Sequence, residues 1–401
     1  MAYFLRQTFI PTLVALHLIK KTIMKTANLF FATNRKHEGK QQWTPKTYGE
    51  RFSSDGHQNL RFGQVTVTLD EGKLKKHLNH VFKNGRTGDG EALSSYFCKQ
   101  SKKGIIKAYP DFTASANAPI SSEDNASTQF FFDLKTYMMD ATDVVVYIHG
   151  YNVSWDEAVG SALALEFMLN SQNVEGTKKV KVVLFSWPSN GSMMPYAAYK
   201  SDRTDARDSG KAVGRALLKL QDFLATLHQN ADNEKRLLCG NNLHLLCHSM
   251  GNYLLQKALE DKVIGYLPGQ KLPRIFKSIF LCAADVNDHV LEGGDGMARL
   301  HEMGNNVSVY YNQGDVAMYI SKYTKSLTDK LGQVGNAHPA LVHNKVHQID
   351  CSPIVKGLVE HSYYLWATVN RDIWQTINDH SFDNPQRNRK RNAQNREWVM
   401  T

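Results

Sequence analysis

The segment Leu243-His244-Leu245-Leu246-Cys247-His248-Ser249-Met250-Gly251-Asn252-Tyr253-Leu254-Leu255 constrains this chain more than any other. It reads as an apolar strand, a turn of small residues around a serine, and an apolar helix. A serine on such a corner stands above a sheet with its hydroxyl free, and the next backbone N–H can face an oxyanion. The positions two before and two after the serine must be small, because a side chain there would meet the other limb of the turn. Gly251 satisfies this, and Cys247 is small enough to be tolerated. An ordinary strand-to-helix connection could look the same, so the reading depends on partners elsewhere in the chain.

The flanking pattern supplies a setting. Leu29–Ala32 and Gly63–Leu69 read as early strands, the second alternating Val65 and Val67 against Thr66 and Thr68. Residues 70–124 are rich in Lys, Gly, Ser and Asn and read as a poorly patterned insertion. They include the loop Asn84–Gly90, which lacks the Gly-Lys-Ser/Thr of a phosphate loop. From Asp143 the chain becomes regular. Asp143–Ile148, Val180–Phe185, Leu243–Cys247, Ile275–Cys282 and Val307–Tyr311 are apolar runs of the kind found in strands buried on both faces. A short last strand is expected at Lys345–Ile349. Helical segments separate them: one opened by the capping box Ser154-Trp155-Asp156-Glu157, a long one at Thr204–His228, and a closing one at Ser362–Ile377. This alternation predicts an α/β fold, a mostly parallel central sheet with helices on both faces. Ligands then bind beyond the carboxyl ends of the strands.

Composition bounds the class. Of 401 residues, 42% are hydrophobic and 21% charged, as in ordinary globular proteins. The net charge is +10 and the pI about 9.2. Part of the excess sits at 384–401, where Arg387-Asn388-Arg389-Lys390-Arg391 reads as a basic, disordered, solvated tail. The tail lacks interleaved aromatics, which disfavours nucleic acid as a partner. Five scattered cysteines (Cys98, Cys239, Cys247, Cys282, Cys351) without C-x-x-C spacing argue against a disulfide framework and a zinc site, and fit a reducing, cytoplasmic setting. Residues 1–23 form an apolar N-terminal extension, too short in its Phe9–Ile19 core to span a bilayer. Met24 opens a sequence that reads as a natural start. One domain is expected over 24–383.

The corner at Ser249, set in this pattern, resembles the nucleophile corner of α/β-hydrolases, whose chain order is serine, acid, histidine. A serine needs a histidine to take its proton and a carboxylate to orient that histidine. Two aspartates follow strands: Asp285 after Ile279–Ala284, and Asp315 after Val309–Gly314. The fold's usual acid position favours Asp315 and leaves Asp285 as the alternative; either could instead be a helix cap or loop aspartate. His289 and His301 precede Asp315, and His347 lies inside the last strand. His338 and His343 flank Pro339 in a loop. His361, just ahead of the closing helix, is the favoured base. Met250 is one oxyanion donor, and Gly150 or Tyr151, in the His149-Gly150-Tyr151-Asn152 loop, is the other. His149, Trp187 and His248 are candidate pocket residues. Arg203 and Arg207 have Asp202, Asp205 and Asp208 beside them, which suits salt bridges on a solvated face.

More widely, the chain resembles a mostly bacterial family of α/β-hydrolase-like proteins of unknown function. The resemblance rests on Ala32-Thr33-Asn34-Arg35, Val144–Asn152, Phe185–Ser189, Leu246–Asn252, Ala283–Val286 and Glu360–Tyr364, and spans roughly residues 27–380. It implies a serine-hydrolase site at Ser249 and His361 with aspartates at both 285 and 315, and it supplies no substrate. The expectation is a serine hydrolase with a Ser-His-Asp triad acting on a small carboxylic ester, with no metal or organic cofactor. Two rivals stand beside it. One is a non-catalytic binding protein of the same fold. The other is a lipase or acyltransferase at a membrane surface, recruited by residues 1–23 and the basic tail.

Overall fold

The computed structural model describes residues 23–84, 88–110, 126–138, 141–172, 179–189, 195–234, 242–266, 269–293, 296–318, 328–356, 360–394 and 396–401. The N-terminal extension, apart from Ile23, lies outside them, as do residues 85–87 of the glycine-rich loop and 111–124 of the insertion.

In chain order the strands are β1 (Met24–Thr33), β2 (Arg35–Glu38), β3 (Thr47–Phe52), β4 (Arg61–Asp70), β5 (Ile105–Ala108), β6 (Asp143–Ile148), β7 (Val180–Ser186), β8 (Asn242–His248), β9 (Phe276–Cys282), β10 (Gly304–Tyr311), β11 (Val346–Asp350), β12 (Arg389–Asn392) and β13 (Glu397–Met400). The longer helices are α1 (Glu71–Lys83), α2 (Glu91–Ser101), α3 (Ala126–Met138), α4 (Trp155–Ser171), α5 (Pro195–Glu234), α6 (Met250–Ala258) and α7 (Ala367–Ile377), with a π-turn at Leu259–Val263 prolonging α6. Among the described residues eleven strands form one sheet in the order β12-β13-β11-β10-β9-β8-β6-β7-β1-β4-β5. The run from β13 to β1 is parallel, and the outer pairs β12–β13, β1–β4 and β4–β5 are antiparallel.

The sequence explains this order. The central strands are apolar on both faces because helices cover both. Val145 and Tyr147 of β6 face one core, with α2, α4 and α7, while Val144 and Ile148 face the other, with α5 and α6. Toward the edge, β4 alternates buried and part-exposed residues, as a strand with one wet face must. The Ser154 capping box is formed: Ser154 N–H donates to Glu157 Oε2 (2.8 Å) and Glu157 N–H to Ser154 Oγ (3.4 Å). It starts α4 directly after the β6 loop and so fixes where that loop ends.

Two expectations about the chain's less regular parts need correction. The described part of the insertion is structured. Its α1 and α2 are amphipathic helices that bury Leu74 and Val81, and Leu93, Tyr96 and Phe97. The tail 384–401 is not a disordered, solvated end, because β12 and β13 extend the sheet. The Arg387 and Arg389 side chains are 0% and 1% exposed and share the Asp372 carboxylate of α7, with Nε of Arg387 at 2.9 Å and Nη1 of Arg389 at 3.0 Å. Tyr310 donates to the same carboxylate at 2.7 Å. The Arg387 and Arg389 side chains of the basic run are buried because a buried acid pairs with them, while Lys390 and Arg391 stay exposed. Among the described residues no helix is long and apolar enough to cross a membrane.

Candidate active site

Strands β6, β8, β9, β10 and β11 end on the same side of the sheet, so the residues after them meet there. Ser249 follows β8 with φ 53° and ψ −124°, a left-handed conformation that a non-glycine residue holds only when its surroundings impose it. They do. Ser249 N–H donates to Cys282 O of β9 (3.0 Å), and Asp285 N–H donates to Ser249 O (3.1 Å). Asn252 Nδ2 also donates to Cys247 O and Ser249 O, both at 3.1 Å.

Two glycines let the β6 loop close over this corner. A Cβ on Gly150 would lie 2.6 Å from Ser249 Cβ, and one on Gly251 would lie 2.7 Å from His149 O. Neither position has room for a side chain. Cys247, where a glycine is usual, points into the apolar core and is fully buried. Met250 is the first residue of α6, so its N–H has no intrahelical acceptor. The Gly150 N–H has no acceptor among the described residues.

His361 Nδ1–H donates to Asp315 Oδ2 at 2.7 Å. Asp315 is fully buried and the imidazole 20% exposed, so of the pair only the histidine reaches outward. The other Asp315 oxygen accepts from Ala317 N–H at 3.0 Å, which fixes the carboxylate at the loop. With Nδ1 donating to the acid, Nε2 carries the free lone pair. Burial alone would lower the His361 pKa, but the Asp315 carboxylate, and Asp285 beyond it, hold it above the usual histidine value. His248 supports His361: its Nε2–H donates to His361 O (3.2 Å), and its ring lies 4.7 Å from the His361 ring. Among the described residues no hydrogen bond joins Ser249 Oγ to His361 Nε2. Such bonds are often long in the absence of substrate and tighten when it binds.

Asp285 is held differently. Tyr199 donates to its Oδ2 at 2.6 Å, Lys330 Nζ lies 3.5 Å from Oδ1, and Arg203 Nη1 lies 3.8 Å from Oδ2. Among the described residues no hydrogen bond joins it to a histidine. Arg203 is thus not on a solvated face. It lies 3.5 Å over the Tyr253 ring and against Asp285, while Arg207 does pair with its neighbour Asp208.

His149 and Trp187 are fully buried and stack on each other with centroids 5.2 Å apart. Trp187 N–H donates to His149 Nε2 (3.2 Å), so Nδ1 carries the proton and donates to Gly150 O (2.9 Å). Burial, reinforced by Arg35, pushes the His149 pKa down to about 3 and keeps the ring neutral. Arg35 itself, unremarked in the sequence beyond its place in Thr33-Asn34-Arg35, is fully buried behind this loop. It donates to Ser186 Oγ (2.8 Å) and to Val153 O (2.6 Å). Asp202 takes the other side, accepting from Ser189 Oγ and from Asn152 N–H (3.3 Å). Asn152, at φ 56°, is the strained residue these bonds restrain. The loop 149–153 is therefore braced from two sides, and the amide of Gly150 has no partner among the described residues.

A parallel sheet with a serine on a left-handed corner after a central strand, and an Asp-His pair after later strands, defines an α/β-hydrolase. The chain belongs to one family of that class: the model for alpha/beta hydrolase of unknown function (DUF900) matches residues 122–370, more than half of its length. A comparison with curated protein sequences returns no match. Among solved structures, the catalytic core of acetyl xylan esterase from Trichoderma reesei is similar at 13% identity and a TM-score of 0.30, over 60% of this chain and 99% of that one. A cutinase-like protein from Cryptococcus sp. is similar at 12% identity and TM-score 0.29, over 60% and 97%. Aspergillus fumigatus lipase B is similar at 14% identity and TM-score 0.32, over 61% and 53%. Similarity at that level carries no argument about activity.

Proposed function

We propose that this protein is a serine hydrolase that cleaves carboxylic esters through Ser249, His361 and Asp315. The observation that carries the reading is the 2.7 Å Asp315–His361 bond beside a serine held at φ 53°. Ser249 Oγ attacks the ester carbonyl and passes its proton to His361 Nε2. Asp315 keeps Nδ1 protonated and stabilises the imidazolium that forms. The Met250 and Gly150 N–H groups donate to the carbonyl oxygen as it becomes an oxyanion, with the neighbouring Tyr151 N–H as the alternative second donor. His361 then protonates the leaving alcohol, and the acyl group rests on Ser249 Oγ. Water, deprotonated by the same histidine, releases the acid and restores the serine. Arg35, His149 and Asp202 act earlier, by holding the donor loop in place before substrate arrives.

The test is covalent labelling with a fluorophosphonate probe. Wild type is expected to label; Ser249→Ala is expected not to, and His361→Ala to label at least about 100-fold more slowly, since general base catalysis contributes that much or more. Folded wild type that fails to label, or labelling that survives in Ser249→Ala, would refute the assignment and favour a binding role for the fold.

A further inference from the structure

We propose that the basic end of the molecule formed by α1, the end of α2 and the starts of β1 and β5 is a docking surface for an anionic lipid bilayer. The proposal is independent of the serine-hydrolase reading and uses none of its residues.

The first observation is where the chain's excess charge is exposed. The stretch Glu71–Lys107 holds eight lysines against Glu71, Asp89 and Glu91. On α1 the positions Lys73, Lys76, His80 and Lys83 recur every three or four residues and so form one stripe, next to the buried face of Leu74 and Val81. Lys99, Lys102 and Lys103 continue it at the end of α2. All of these lysines are exposed. Lys75 pairs with Glu71 at 2.9 Å, but the stripe lysines and those of α2 have no salt bridge among the described residues. His77 stacks on Tyr96 at 5.1 Å and joins the two helices. Burial first, and then Lys76, His80 and Lys99, depress its pKa, so the cations of both helices share one field.

The second observation is what lies beside the lysines. Ile23, Met24 and Ile105 are 67%, 55% and 64% exposed. The β ladder puts them at one end of the molecule: Met24 pairs with Asp70, Ile105 with Thr66 of the same strand, and Glu71 N–H donates to Ile23 O (3.0 Å). Lys25 lies in the same place, over the Phe167 ring. Lysine point charges interspersed with protruding aliphatic side chains match a bilayer, which offers diffuse negative charge and an apolar layer beneath it. A nucleic acid would instead be met by arginine forks and exposed aromatic rings. The surface lies at the amino ends of the parallel strands and Ser249 at their carboxyl ends, so docking leaves the site's own residues untouched.

The experiment is co-sedimentation of the full-length protein with phosphatidylcholine vesicles with and without about 30% phosphatidylserine, at physiological salt. Wild type is expected to bind the anionic vesicles at least tenfold more tightly, and to be released at about 0.5 M salt as the charges are screened. The triples Lys73→Glu/Lys76→Glu/Lys83→Glu and Lys99→Glu/Lys102→Glu/Lys103→Glu should each weaken binding by roughly 100-fold, the product of three lysines near a charged surface. Ile105→Ser should weaken it a few-fold without changing the salt dependence. Reversal of exposed tail charges, Lys390→Glu/Arg391→Glu, should weaken it least, which separates this face from net charge. Unchanged far-ultraviolet dichroism and melting temperature identify variants that remain folded. Wild type that ignores phosphatidylserine, folded triples that bind like wild type, or a preference for a single-stranded oligonucleotide over anionic vesicles would each overturn the proposal.

Discussion

The corners after β9 and β10 present the same residue type in the same fold position and use it in opposite ways. Asp285 and Asp315 are both buried, and both follow a strand end near Ser249. Asp285 meets a tyrosine hydroxyl, a lysine and an arginine, all held in place. Asp315 meets backbone amides on one oxygen and a single imidazole on the other. A carboxylate already neutralised by fixed cations cannot respond when a proton arrives nearby. One whose main partner is a titratable ring can stabilise the charged ring and release it again. Position in the fold therefore nominates an acid, and the partners decide what it does.

The contrast is broken or sharpened first by Asp315→Asn and Asp285→Asn. Asparagine at 315 can still bond the imidazole, but it favours the wrong tautomer, and kcat for an activated ester should fall by about 10⁴-fold with the melting temperature little changed. Asparagine at 285 leaves Lys330, 1% exposed, without its counter-charge, so the main effect should be on stability, about 3 kcal/mol or more. Urea titration beside esterase assays separates the two. If Asp285→Asn lost activity like Asp315→Asn while keeping its stability, the roles assigned here would be exchanged.

The same logic explains how far the sequence could be read. Strand β6 falls on the expected run Asp143–Ile148 to the residue, and β7 and β8 each differ from expectation by one residue at one or both ends. A strand buried on both faces leaves an uninterrupted apolar signature. The pairing of Asp315 with His361 was legible because chain order follows strand order in this class. What depended on distant partners was not. α1 and α2 read as poorly patterned because α1 is lysine-rich on its outer face and both helices have few apolar positions. Arg387 and Arg389 look like a solvated tail because nothing local announces Asp372. Arg35 gave only the signal of a buried-strand end followed by Thr-Asn-Arg; its partners Ser186 and Val153 lie more than 100 residues away. His149 and Trp187 stack on each other in the interior behind Gly150, an arrangement that nothing local in the sequence announces.

Asp372 extends the comparison to the far edge of the sheet. Like Asp285 it is saturated, here by Arg387, Arg389 and Tyr310, and it lies apart from the Ser249 corner on α7. Asp372→Asn should leave two buried guanidinium groups under-neutralised. Equilibrium unfolding should show a loss of about 3 kcal/mol, and amide exchange should accelerate first in Arg389–Met400. Activity per folded molecule should be unchanged. Retained protection of β12 and β13 in this variant would mean that sheet pairing alone, and not the acid, orders the basic segment.

The smallest expected effect is on the pH profile, and it tests the unsaturated carboxylate directly. In the proposed mechanism His361 must be neutral to accept the Ser249 proton. Burial lowers its pKa, but Asp315 and then Asp285 outweigh that and raise it above the ordinary value near 6.5. Activity should therefore fall as pH drops, with the acid limb of kcat/KM above pH 6.5. Removing the Asp315 charge removes the larger of the two raising influences, so in Asp315→Asn the residual acid limb should move to lower pH. Removing the Asp285 charge should move it in the same direction by less, because Asp285 acts on the ring at longer range. The sign also fixes a stability effect. A histidine whose pKa is raised by folding contributes stability that is fully present below its unfolded value near 6.5 and is lost as pH rises through the folded value. Ser249→Ala, which keeps the Asp315–His361 pair, should retain that dependence, whereas His361→Gln should lose it. An acid limb that stays in place in Asp315→Asn would mean that the group titrating in the profile is not His361.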